Sequence, residues 1–123
     1  MVIQTQALTT IKSTALDTFD IYTYIGIGDG TTTPTVADTT LTNETLRKLL
    51  ASSLKDLSLG TYRFEIRVAL TEANGTIITE VAIFNQATGG LMGAKDLLGV
   101  NVTKTADKEV IIILEVEVGV VNI

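Results

Sequence analysis

The sequence has no cysteine, no histidine and no tryptophan, and proline occurs once, at Pro34. Without cysteine there is no disulfide framework, no thiolate nucleophile and no sulfur-ligated metal. Without histidine the chain lacks the usual general base near neutral pH and the commonest transition-metal ligand. Any hydrolytic chemistry would fall to carboxylates, lysine or tyrosine, and sugar recognition would proceed without a tryptophan platform. No cofactor is implied.

An excess of positive charge is missing as well. The net charge is -5, distributed along the chain. Lys48, Lys55, Arg63 and Arg67 are interleaved with acids and apolar residues, so no basic footprint for nucleic acid is present. No apolar run reaches the length that spans a bilayer, so no membrane partner is expected. The first ten residues carry neither a basic start nor an unbroken apolar core, which reads as the absence of a signal peptide.

What is present is threonine, valine and isoleucine in quantity. These residues are stiff at the first side-chain torsion and fit a pleated, half-buried surface. Five stretches read as strands. Ile21 to Ile27 alternates, and Tyr62 to Leu70 alternates more strictly, with Tyr62, Phe64, Ile66, Val68 and Leu70 on one face and Arg63, Glu65 and Arg67 on the other. Thr76 to Phe84 is apolar nearly throughout, which predicts cover on both faces. Leu91 to Leu98 follows the turn Thr88-Gly89-Gly90, and Glu109 to Val118 places Val110, Ile112, Leu114, Val116 and Val118 on one face. Asn74-Gly75 predicts a hairpin between the second and third of these strands. Leu46, Leu49, Leu50 and Leu54 stand at helical spacing, so Thr42 to Leu54 is the expected helix, capped by Thr42 or Asn43. The fold class is therefore all-β, an antiparallel β-sandwich with one short helix and a long threonine-rich loop. Residues 1–19 are expected to be an N-terminal arm or edge strand, and 20–123 a single sandwich domain.

Three features could carry function. The run Gly26-Ile27-Gly28-Asp29-Gly30 tempts a nucleotide reading, but a phosphate cradle opens onto a helix, and Thr31-Thr32-Thr33-Pro34 does not begin one. A strand end with a tight turn is the better account. Glu80 is the only charge in an apolar strand and needs a partner if buried. Paired with Glu44 it could resemble a glycosidase's two carboxylates. The favoured expectation is structural, a clamp of Glu44, Arg47 and Glu80 in which Arg47 grips Glu80 and pins the loop to the sheet. Finally, Val118, Val120, Val121 and Ile123 make an apolar end, fitted to pair with another subunit.

In order along the chain, Tyr24, the Gly26–Gly30 run, Pro34, Asp38-Thr39-Thr40-Leu41, and Glu44 with Arg47 resemble the phage tail-fibre and tail-collar family. Glu72-Ala73-Asn74-Gly75, Glu80 to Phe84, Thr88 to Met92 and Lys104 to Asp107 continue the resemblance, with Ala82 where that family has glycine. The resemblance implies a non-enzymatic virion structural protein: a short tail-fibre or collar, adaptor or decoration subunit. Its partners would be copies of itself, as a trimer or larger, and another virion protein, with the virion as its location. The alternative is a filament or pilus-like subunit polymerising by strand donation.

Overall fold

The computed structural model describes residues 13–119. Its strands are β1 (Tyr24–Gly28), β2 (Glu44–Leu49), β3 (Ser52–Asp56), β4 (Thr61–Val68), β5 (Ile77–Phe84), β6 (Met92–Thr103) and β7 (Val110–Glu117). They form two antiparallel sheets packed face to face, a four-stranded sheet ordered β2-β1-β5-β6 and a three-stranded sheet ordered β3-β4-β7. The all-β sandwich follows from the alternation. Phe64, Ile66 and Val68 on β4 and Ile112 and Leu114 on β7 face Ile25, Ile27, Val81 and Ile83 of the other sheet across a dry interior.

The five strands read from the alternation all form, with β6 running further than expected, to Thr103. The short helix lies elsewhere. Residues 13–17 are helical, and Leu16 enters the core. Asp17 and Asp20 hold Lys55, and Tyr62 donates its hydroxyl to Asp20 at 2.7 Å. Of the segment expected to be an arm or edge strand, this helix is the described part, and residues 1–12 lie outside the described residues.

Thr42 to Leu54, expected as a helix, is two strands. β1 would otherwise lack a partner on one side, and β2 supplies that ladder from Leu49 opposite Tyr24 to Leu46 opposite Ile27. Only Leu46 and Leu50 of the four leucines pack on the core, and Leu49 and Leu54 are exposed. Pairing with β1 and β4 overrides a leucine spacing that fits a helix equally well. Between β2 and β3 the chain changes sheet abruptly: the Leu50 N–H donates to Thr23 O at 2.9 Å, and the next N–H, of Ala51, donates to Glu65 O at 2.8 Å. One flank of the sandwich is closed by this hand-over.

The Asn74-Gly75 hairpin is also corrected. β4 pairs with β3 and β7, and β5 with β1 and β6, so the turn crosses between sheets. Gly75 adopts φ 85°, as the dipeptide favours, but Ala73 is also left-handed at φ 53°, and both flanking strands already have two neighbours. Replacing Ala51 with proline removes the hydrogen bond that leads into β3 and should cost about 1–3 kcal/mol. The check is a lowered urea midpoint with the exchange of β3 amides accelerated ahead of those in β1.

Candidate functional site

β5 is buried along nearly its whole length because both its faces are covered, as its composition predicts. One face meets the other sheet. Over the other lies the loop between β1 and β2, whose Leu41 packs with Ala82, Phe84, Tyr24 and Met92 in a second, smaller apolar cluster.

Glu80 points into this outer layer and is fully buried. Its carboxylate accepts three main-chain N–H groups: Gly30 and Thr42 at 2.8 Å each, and Asn43 at 2.9 Å. Both ends of the long loop are thereby tied to one side chain. Beside it, Thr79 donates its hydroxyl to Gly30 O at 2.5 Å. The glycine run is explained by space. A Cβ on Gly28 would lie 2.6 Å from Glu80 Oε2, one on Gly30 2.5 Å from the same oxygen, and one on Gly26 2.7 Å from the Phe84 ring. None of these three glycines has positive φ. They are small so that the loop can fold back onto the strand.

The expected clamp is therefore rearranged. Arg47 does not grip Glu80. It makes a two-pronged pair with Glu44, both contacts at 2.7 Å, and donates to Gln86 O at 3.0 Å and Gly89 O at 2.8 Å. Its guanidinium lies 3.5 Å from the Phe84 ring centroid. Arg47 thus holds the β5–β6 turn, where Gly89 and Gly90 are left-handed, while Glu80 holds the β1–β2 loop. The physical reason is that three convergent amides satisfy a buried carboxylate without importing a second charge. Buried and facing these amides, Glu80 does not form an exposed carboxylate pair with Glu44.

For several further groups nothing in the sequence hinted at their contacts. Lys104 is fully buried and donates to Asn74 Oδ1 and Thr105 O at 2.8 Å and to Leu70 O at 3.4 Å. Lys48 reaches from β2 to Arg67 O and Glu72, both at 2.6 Å. Together these lysines brace the turn that crosses between the sheets. Asp38 accepts from the Thr35 N–H and from Lys95, contacts that hold its carboxyl below its ordinary range. A depression of about 380 Å³ lies there, lined by Pro34, Val36, Met92 and Ala94 as well as by this ion pair. Among the described residues no group of three histidine, cysteine or acidic side chains is placed to hold a metal.

Of the apolar end expected to mediate assembly, Val118 is half-buried against the core and its N–H donates to Gly60 O at 2.7 Å. Val120, Val121 and Ile123 lie outside the described residues. No protein-family model matches the chain, and no curated protein matches it.

Glu80→Gln turns an amide nitrogen toward main-chain donors and should cost about 2–5 kcal/mol. The loop amides of Gly30, Thr42 and Asn43 should then exchange faster than the core strands, as read by hydrogen exchange. For Glu72, the hydrogen bond from Lys48 and the Ala69 N–H hold the carboxyl below its ordinary value of 4.5. A lowered folded value means that its contribution is complete above pH 4.5 and is lost as pH falls through the folded value. Glu72→Gln should therefore lower the urea midpoint at neutral pH and flatten its acid-side decline.

Proposed function

We propose that this protein is a non-enzymatic structural subunit of a virion, a short tail-fibre or collar, adaptor or decoration component that works by assembly. The observation carrying this reading is the inequality of the two sheets. Across the sandwich β1 lies against β4 and β5 against β7, so β6 extends beyond the three-stranded sheet and has no strand opposite it among the described residues. A strand position left open among the described residues is a place suited to a neighbour.

The locked loop supports the same reading. Glu80 and Arg47 fix two loops on the outer face of the larger sheet, and rigid surface loops lose little entropy when they meet a partner. The ordered run of motifs resembling the tail-fibre and collar family adds to it. Partners are then further copies of this chain and another virion protein. The unfilled position equally favours the second reading, a filament subunit that polymerises by strand donation.

Two measurements test the proposal. Mass spectrometry of purified particles should find the chain at a fixed ratio to the other tail or capsid proteins. Light scattering of the pure protein should give a closed oligomer, reduced to a monomer when residues 118–123 are removed. Absence from particles would defeat the virion assignment, and endless fibres by negative stain would favour the filament.

A further inference from the structure

Each outer strand of a sheet offers unpaired main-chain groups, and most are blunted here. β2 carries a register shift opposite Ile27 and Gly28 and hands over to β3, which is five residues long. β6 is interrupted twice, most strongly where Glu80 pairs with Leu97 but Ile78 with Val102, so that Leu98 to Asn101 bulge away from the ladder. β7 differs. Its eight residues pair with β4 without a shift and contain no proline, glycine or lysine. Such a strand is the one that invites another.

The register states what β7 presents. The Val118 N–H donates to Gly60 on the β4 side, and direction alternates along a strand. Val116, Leu114, Ile112 and Val110 therefore serve β4, while Ile111, Ile113, Glu115 and Glu117 direct their N–H and C=O groups to the open side. The side chains of these same four residues are exposed. Across the gap, Leu98 and Val102 of β6 are half-buried against the core, while Tyr22 packs on Gly93 at the other end of β6. An added strand would cover Leu98 and Val102 with one face.

We infer that β7 accepts an extended strand from a different protein, one carrying lysine or arginine at alternate positions on its outer face and apolar residues on its inner face. This inference rests on the assembly reading above and specifies the partner. A second copy of β7 fits poorly. In antiparallel pairing, setting Ile113 opposite Ile113 puts Glu117 opposite Glu109, and setting Ile111 opposite Ile113 puts Glu115 opposite Glu109. Sliding the other way, to Ile113 opposite Glu117, puts Glu115 opposite itself. The one intermediate register sets both isoleucines against glutamates. Like charges directly opposite destabilise a pair. Among the described residues Glu109 has Arg67 at 3.2 Å, whereas Glu115 and Glu117 have no salt-bridge partner. Within the sheet Glu115 stands opposite Arg63 without a salt bridge between them, and Glu117 stands opposite Thr61; a lysine or arginine on the incoming strand would meet both carboxylates from the open side.

The probe is a capped nine-residue peptide alternating lysine and valine, compared with one alternating glutamate and valine, each titrated into the full chain. The lysine peptide should slow exchange of the Ile111, Ile113, Glu115 and Glu117 amides by roughly tenfold or more, and added salt should weaken the effect. The double variant Glu115→Lys, Glu117→Lys, altered only at exposed positions, should reverse the peptide preference. The inference is overturned if neither peptide protects these amides, if both do so equally, or if the reversal fails. It is also overturned if the amides are already slow in the free chain, or become slow as its own concentration rises, because the position would then be filled by the chain or by a second copy. Loss of the peptide preference with particle incorporation intact would remove this assignment alone.

Discussion

The buried carboxylate of Glu80 is the contact on which the outer half of this molecule depends. A fully buried charge must be satisfied or it destabilises the fold by several kcal/mol, and here three main-chain N–H groups from one loop converge on it. Other features follow from that choice. Gly28 and Gly30 have no side chain because the returning chain at Thr42 and Asn43 and the carboxylate together occupy the space. Leu41 is drawn over Ala82 and Phe84, and β5 becomes a strand covered on both faces. A fifteen-residue connection would ordinarily be a mobile surface element; this one is tied to the sheet at both ends and packed through Leu41, while its middle stays largely exposed.

Arg47 does for the neighbouring turn what Glu80 does for the loop, by a different route. Its charge is balanced by Glu44 on its own strand, its plane is spent on Phe84, and its remaining donors cap two carbonyls of the β5–β6 turn. The side chain is mostly shielded from water, so these contacts are worth more than a surface pair. At the opposite end, Lys104 and the Lys48–Glu72 pair brace the turn that passes from β4 to β5. Polar groups inside this small sandwich are used to fix connections, and the apolar interior is left to hold the sheets together.

Which parts were readable follows from where the information sits. Tyr62 to Leu70 alternates because one face of β4 is dry and the other wet, and that signal is local. Glu80 could be recognised as needing a partner, since it stands alone among apolar residues. Its actual partners could not, because backbone amides leave no trace in side-chain identity; Arg47 was the visible candidate, and it serves elsewhere. Leu46, Leu49, Leu50 and Leu54 fit a helix and a pair of short strands alike, and only the unpaired side of β1 decides between them. Asn74-Gly75 marked a turn, but of the two only Gly75 is left-handed, with Ala73 taking the other such conformation, and the dipeptide does not say which strands it joins. Spacing reports local geometry, and sheet membership is a property of distant neighbours.

The same distinction bears on the uneven flanks of the sandwich. On one side the chain crosses between sheets at Leu50 and Ala51, so consecutive amides bond to opposite sheets and the flank is sealed covalently. On the other side β6 overhangs, its main-chain ladder broken by a bulge, while β7 runs straight and unshifted. The two strands that border this flank are protected differently, since an unprotected edge recruits partners indiscriminately: β6 by its bulge, β7 by charge alone. Glu115 and Glu117, exposed along β7, discourage self-pairing without interrupting the ladder. A regular backbone edge with selective charge is the combination that supports the strand-accepting role proposed for β7.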